Sequence, residues 1–389
     1  MGKGKKKVCI VTILDVANFG TMLQAYALGT VVERMGYDVE FVDYWRRDYT
    51  TGHKVRTFLR DSSLGSLPRR VAFALSALLM YAPIRRRVRR FVTRRFRMSR
   101  PYHSFDRLRQ RPPYADFFIC GSDQIWNSTY NGGLDRTFFL DFTTAPRIAY
   151  AASSGLDAFS EEELPEIRAL LEKFAALSVR EYQTCDYLRR IGFPKVQHVL
   201  DPSLLLNAEE WRRVAGCAGM EDCKEEPSPY LLVYSVERFN NDFIFSQARR
   251  IARDRGLRMY VVCTTYPVKA RDYGFDKVYA MADVPTFLRL MAGASFVVAS
   301  SFHGTAFALN FNKDFITISA GKYNIRMESL VRQFGIAHRI VEKEEVSAAS
   351  LRPIDYEVIN QKLAREREAS FSFLCEALTA NSPKDIIGG

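Results

Sequence analysis

No uncharged apolar run in this chain reaches the roughly eighteen residues that a membrane-spanning helix needs, so none is expected. The basic start MGKGKKKVCIVTIL runs into a polar DVANFGT with no small-residue cleavage site, which predicts no signal peptide and a cytoplasmic protein. The seven cysteines, Cys9, Cys120, Cys185, Cys217, Cys223, Cys263 and Cys375, include no CxxC pair, and several sit in apolar runs as small hydrophobes. Disulfides and a zinc site are therefore not expected, and no metal is called for. The first strand-to-helix turn carries Asn18, Phe19 and Gly20 in place of GxGxxG, so a dinucleotide site lacks its fingerprint. Acid is missing from one long stretch: from Ser62 to Phe105 there are eleven arginines and no Asp or Glu.

What is present fits an ordinary globular protein of two domains. The chain has 389 residues, 47% hydrophobic and 26% charged, too long for a single ordinary core. Its net charge of +12 is local, because the eleven arginines and Lys3, Lys5, Lys6 and Lys7 leave about −3 for everything else. That unevenness, with no helix-turn-helix, zinc or RNA-binding signature, argues against nucleic acid as a partner despite an overall pI near 9.3.

The order of apolar runs reads as alternating strands and helices. Lys7 to Leu14 opens as a strand, Asn18 caps a helix from Thr21 to Met35, Gly36 stops it, and Val39 to Val42 is the next strand. After a basic insert over residues 46–113, strands are predicted at Asp116–Cys120, Arg147–Ala152, Leu177–Val179 and Val196–Leu200. Each ends in small or polar residues, as a parallel sheet with a functional carboxyl edge would. Residues 211–229 read as a connection, and a second α/β set follows. The expected fold is α/β, two Rossmann-like domains facing across a cleft, over residues 1–208 and 209–354, with a closing helix and tail over 355–389. Within the second domain, Ala294–Leu309 reads as a strand, a sharp turn through Ser300 to Gly304, and a helix from Thr305. That junction favours an anion, and His303 stands in it.

Six stretches carry a resemblance. NFGTMLQAYAL at 18–28, ICGSDQIWN at 119–127, YAASSG at 150–155, SVRE at 178–181, LDPSLL at 200–205 and SSFHGTAFAL at 300–309 resemble, in order, the signatures of the polysaccharide pyruvyl transferase family. The resemblance implies a GT-B type fold and transfer of the pyruvyl group of phosphoenolpyruvate to two hydroxyls of a sugar, as a cyclic ketal with release of phosphate and no cofactor. One position departs from the family: Ser301 stands where many members carry Arg, and Arg326 or Arg180 is the candidate replacement cation.

Phosphoenolpyruvate carries about three negative charges, so its site needs cations and aimed N–H donors, together with one general acid and one base. His303 is the candidate acid or phosphate ligand, and Asp123 the candidate base or sugar-holding carboxylate. Candidate substrate-binding residues are Asn18, Gly20, Gln24, Ser122, Ser154, Arg180, Ser301, Gly304, Thr305 and Arg326. Asn18, Gly20 and Gln24 also have a plain structural reading in capping and packing, Arg180 in a buried strand-end ion pair, and Asp123 as a turn or cap residue. The alternative activity is glycosyl transfer from a nucleotide sugar, since this architecture hosts that chemistry too. For the insert, Val71–Ile84 is fourteen uncharged residues, about 21 Å as a helix, and too short to span. With Ile84, Val88, Phe91 and Val92 along one face among arginines, residues 69–100 are expected to lie on an anionic membrane that presents a lipid-linked sugar acceptor. The other reading has these helices pack on the first domain and steer an acidic substrate.

Overall fold

The computed structural model describes residues 5–46, 49–60, 66–217, 223, 228–236, 241–264, 270–319, 325–342 and 346–380. Two compact units emerge, one of Met1–Val16, Gln24–Leu205 and Arg365–Gly389, the other of Ala17–Leu23 and Leu206–Ala364.

The first unit is built on seven parallel strands, β1 (Lys7–Val11), β2 (Asp38–Phe41), β3 (Arg97–Met98), β4 (Phe117–Cys120), β5 (Arg147–Ala152), β6 (Ala176–Val179) and β7 (Gln197–His198), in the spatial order β3-β2-β1-β4-β5-β6-β7. Central strands such as FFIC of β4 are buried at every position, as a parallel sheet covered on both faces requires. The order reverses between β1 and β4, and doubly wound sheets bind ligands at the carboxyl ends of such strands. Its helices are α1 (Phe19–Arg34, from Gln24 onward), α2 (Thr51–Arg60), α3 (Leu67–Ser76), α4 (Ala82–Thr93), α5 (Phe105–Gln110), α6 (Ser128–Asn131), α7 (Leu164–Leu171), α8 (Tyr182–Arg190) and α9 (Pro202–Leu205).

The second unit repeats the plan with β8 (Tyr230–Tyr234), β9 (Arg258–Val262), β10 (Lys277–Tyr279), β11 (Phe296–Ala299), β12 (Asp314–Ile318) and β13 (Ile340–Val341), ordered β10-β9-β8-β11-β12-β13, all parallel. Its switch point lies between β8 and β11. Around it are α10 (Ala208–Val214), α11 (Asn241–Asp254), α12 (Val284–Gly293), α13 (Phe302–Asn310) and α14 (Ile325–Gln333). The closing helix α15 (Tyr356–Ala380) contributes its residues up to Ala364 here and the remainder to the first unit.

Four expectations are corrected. Residues 17–23 belong with the second unit, because the Phe19 ring stacks on Phe287 at 4.8 Å and lies 5.8 Å from Tyr234. The second unit begins at Leu206, and the supposed connection over 211–229 opens inside α10, which carries an Asn207–Glu210 capping box and the fully buried Trp211. Cys217 and Cys223 form a disulfide, their Cα atoms 5.4 Å apart; a spacing of six carries no pairing signature, and only the folded chain reveals it. Finally, the apolar face of α4 is turned inward. Ile84, Val88 and Val92 are buried, and the Phe91 ring lies 4.9 Å from Tyr26 of α1. The insert then rejoins the sheet as β3, paired with Glu40 and Phe41. Among the described residues no helix is long and apolar enough to cross a membrane.

Candidate active site

In the first unit the carboxyl ends of β1 and β4 are tied together by Gln24. Its side-chain Nε2 donates to Thr12 Oγ1 at 2.9 Å, and its Oε1 accepts the Ser122 N–H at 3.0 Å. Thr12 Oγ1 in turn donates to the Ser122 carbonyl at 3.1 Å, so three buried polar groups satisfy one another. Ser122 Oγ donates to the Ala151 carbonyl at 2.7 Å and lies 3.1 Å from Asp201 Oδ2. Next in the loop, Asp123 holds a left-handed backbone, φ 71°, a conformation that aspartate tolerates better than most residues. Its Oδ1 accepts the Gln124 N–H at 2.9 Å, and it is 7% exposed.

Arg180, at the end of β6, is buried between two carboxylates. Its Nε is 3.0 Å from Glu181 Oε1 and its Nη1 2.8 Å from Asp201 Oδ2. Burial works against the guanidinium charge, and the two carboxylates more than offset it, so the Arg180 pKa is raised. Ser153 Oγ donates to the same Glu181 oxygen at 2.8 Å, and Ser154 Oγ donates to the Leu156 carbonyl at 3.0 Å. Gln24, Ser122, Ser154 and Arg180 therefore brace the sheet edge. Arg180 in particular is engaged by two buried carboxylates.

In the second unit β11 ends at Ala299, and α13 starts at Phe302, earlier than the Thr305 expected from the sequence. The reason is Ser301, an extended N-cap whose Oγ accepts the Gly304 N–H at 3.0 Å. His303 thus stands in the first turn of the helix and is 6% exposed. Thr305 Oγ1 donates to the Ser301 carbonyl at 3.0 Å and lies 2.7 Å from Thr317 Oγ1 of β12. Ser300 Oγ donates to Ser235 Oγ at 3.0 Å, closing the switch point between β11 and β8. The motif glycine Gly304 has no room for a side chain, since a Cβ there would lie 2.9 Å from both Ala299 and Tyr234.

The imidazole of His303 rests on Gly20. A methyl group on Gly20 would overlap Cβ, Cγ and Nδ1 of His303, so the glycine of the Asn-Phe-Gly turn is the floor on which the ring sits. Asn18 holds that floor in place, its Oδ1 accepting the Thr21 N–H at 3.3 Å. Arg326 is half-buried in the first turn of α14, which packs against α13. Asn18, Gly20, Ser301, His303, Gly304, Thr305 and Arg326 thus belong to one unit, whereas Gln24, Ser122, Asp123, Ser154 and Arg180 belong to the other.

One buried pair was not anticipated. Asp15 lies just past β1, and Arg46 Nη2 reaches its Oδ1 at 2.6 Å, while Arg46 Nη1 donates to Asn131 Oδ1 at 2.6 Å. The guanidinium also covers the Tyr49 ring, 3.8 Å from its centroid. In the sequence the signal is a carboxylate and a guanidinium following neighbouring strands, but Arg46 also opens the basic insert, which masks it.

A family model described as polysaccharide pyruvyl transferase matches residues 18–321 of the chain. A comparison with curated protein sequences finds no match. Among solved structures, UGT89C1 of Arabidopsis thaliana complexed with UDP-L-rhamnose is similar at 11% identity and a TM-score of 0.55, over 98% of this chain and 100% of that one. A protein assigned as a UDP-N-acetylglucosamine 2-epimerase from Listeria monocytogenes is similar at 10% identity and a TM-score of 0.55, over 99% and 100%. At such identities the likeness is one of fold alone, of the GT-B type.

Proposed function

Because the chain belongs to the polysaccharide pyruvyl transferase family, we propose that it transfers the pyruvyl group of phosphoenolpyruvate to two hydroxyls of a sugar in a cell-surface glycan such as a capsule or exopolysaccharide. The observation that carries this reading is His303 in the first turn of α13, seated on Gly20 at the switch point of the second sheet. The positive end of the helix dipole favours a phosphate or carboxylate there, and the imidazole is the titratable group at the same place.

The chemistry needs no cofactor. His303 delivers a proton to the methylene carbon, the enol carbon becomes oxocarbenium-like, and the first sugar hydroxyl adds to it while losing its proton to a base. Phosphate then leaves with its bridging oxygen, the second hydroxyl bonds to the same carbon, and its proton goes to phosphate or solvent. One methyl ketal and one phosphate result. Asp123 is the carboxylate we assign to the hydroxyl proton, and Arg326 the cation we assign to the donor anion, in place of the arginine that Ser301 replaces. The acceptor is taken to be lipid-linked and presented at the cytoplasmic face of a membrane.

The likeness to nucleotide-sugar enzymes at 10–11% identity does not bear on the donor. Purified protein should release phosphate from phosphoenolpyruvate only when a glycan acceptor is present. Turnover that requires a UDP-sugar, with phosphoenolpyruvate untouched, would replace this reading by glycosyl transfer.

A further inference from the structure

Helix α3, a π-helical segment over Ala77–Tyr81, and α4 follow one another without a break from Leu67 to Thr93, a rod of about 40 Å at 1.5 Å per residue. On its first half Leu67, Val71, Leu75, Leu78 and Leu79 recur at helical spacing and are between 39% and 67% exposed. An exposed row of five large aliphatic side chains on one helix face is uncommon in a soluble surface and marks a binding face. Farther along, the row that runs through Leu78 and Ala82 reaches Arg86 and Arg90, both exposed.

A cleft of about 790 Å³ joins the two halves, lined in part by Trp45, Leu78, Arg85, Arg86, Arg89 and Arg90. Its arginines differ in commitment. Arg85 and Arg89 lie over the Trp45 ring at 4.9 and 4.7 Å, Arg85 also donates to the Tyr49 carbonyl, and Arg89 pairs with Asp43 at 2.6 Å. Among the described residues Arg86 and Arg90 pair with no carboxylate. Leu78 on the wall of a cleft with four guanidinium groups places apolar and cationic chemistry side by side.

We propose that this leucine face and the adjoining arginine cleft bind the surface of an anionic lipid bilayer, the leucines entering the acyl boundary and a headgroup phosphate entering the cleft. This inference stands apart from the proposed reaction. The face differs from the one expected of the sequence, since the α4 stripe of Ile84, Val88 and Val92 is buried. Charge selects the partner. Arg89, Arg95 and Arg97 pair with Asp43, Glu33 and Asp38, but the remaining arginines of residues 62–105, Arg86 and Arg90 among them, keep this surface basic and would repel a second copy of it, and nucleic acid offers nothing to the five aliphatic side chains. An anionic membrane satisfies both groups at once.

Flotation of the full-length protein with phosphatidylcholine vesicles, with and without phosphatidylglycerol, tests this. Wild type should float only with the anionic vesicles and be released as salt rises. R86Q/R90Q should weaken partitioning roughly thirtyfold, at the usual contribution of each basic residue near an anionic surface. L75Q/L79Q should abolish flotation, since without apolar insertion the arginines alone give only weak, salt-labile attraction. All four side chains are solvent-exposed, so thermal unfolding should match wild type for both variants. Absence of flotation, flotation that ignores the anionic lipid, or variants that float like wild type would overturn the proposal. Retention by duplex DNA without vesicle binding would reassign the surface to nucleic acid, and a dimer that L75Q/L79Q dissociates would reassign it to a second copy.

Discussion

Gly20 is the residue whose identity the packing explains most directly. Its Cα carries the His303 ring, and any side chain must push that ring aside. Gly20→Ala should therefore lower turnover about a hundredfold, the typical cost of misplacing a reacting group by about 1 Å, with far-UV circular dichroism unchanged. His303→Ala should cost about 10²- to 10⁴-fold in kcat as the loss of one acid–base group, and near wild-type turnover would reassign the histidine to structure. Arg326→Ala should raise KM for phosphoenolpyruvate about ten- to a hundredfold and leave that for the acceptor unchanged, because a charge-assisted bond contributes about 1.5–3 kcal/mol. An unaltered donor KM would pass the role to another cation. Neither the Gly20 contact nor the cap by Ser301 could be read from residue types alone. The sequence marks the Asn-Phe-Gly turn and the Ser-Ser-Phe-His-Gly stretch as strand ends with polar tips, but only the fold lays one on the other.

At the scale of elements, the ends of β5, β6 and β7 are locked by buried charge. Arg180 between Glu181 and Asp201 is a bracing group, so Arg180→Met should unfold the protein more easily by about 3–5 kcal/mol in urea, the cost of stranding buried carboxylates, whereas a donor-binding role alone would leave stability intact. Beside it, the His198 ring stacks on Tyr182 at 3.7 Å with Nε2 3.1 Å from the Arg180 carbonyl. Burial lowers the His198 pKa from 6.5 to about 4. The unfolded chain takes up this proton first, so the neutral ring's contribution is whole above about pH 6.5 and disappears as pH falls toward 4. The expected loss is about 2 kcal/mol after allowance for partial exposure, and His198→Phe should flatten that acid limb of the stability curve. The strand ends that carry these groups were legible as polar tips after apolar runs. Which tip meets which was not, because pairing across a parallel sheet depends on crossovers that leave no mark in local sequence.

For the whole molecule, two parallel α/β sheets followed from the alternation of apolar runs, and the family followed from six motifs in order. What periodicity could not provide was partnership: an apolar stripe on α4 reads the same whether it meets a bilayer or, as here, is buried in the protein with Phe91 against α1. The short strands β3, β10 and β13 were missed for a related reason, since two or three residues at a sheet edge are defined by their neighbour's hydrogen bonds and not by their own composition. The central claim is that the chain moves a pyruvyl group from phosphoenolpyruvate onto a glycan. Phosphoenolpyruvate labelled with carbon-13 at its enol carbon, incubated with the enzyme and acceptor and followed by NMR, should yield a labelled quaternary ketal carbon in the glycan and one phosphate for each ketal formed. Label that stays in phosphoenolpyruvate while a UDP-sugar is consumed would contradict the account.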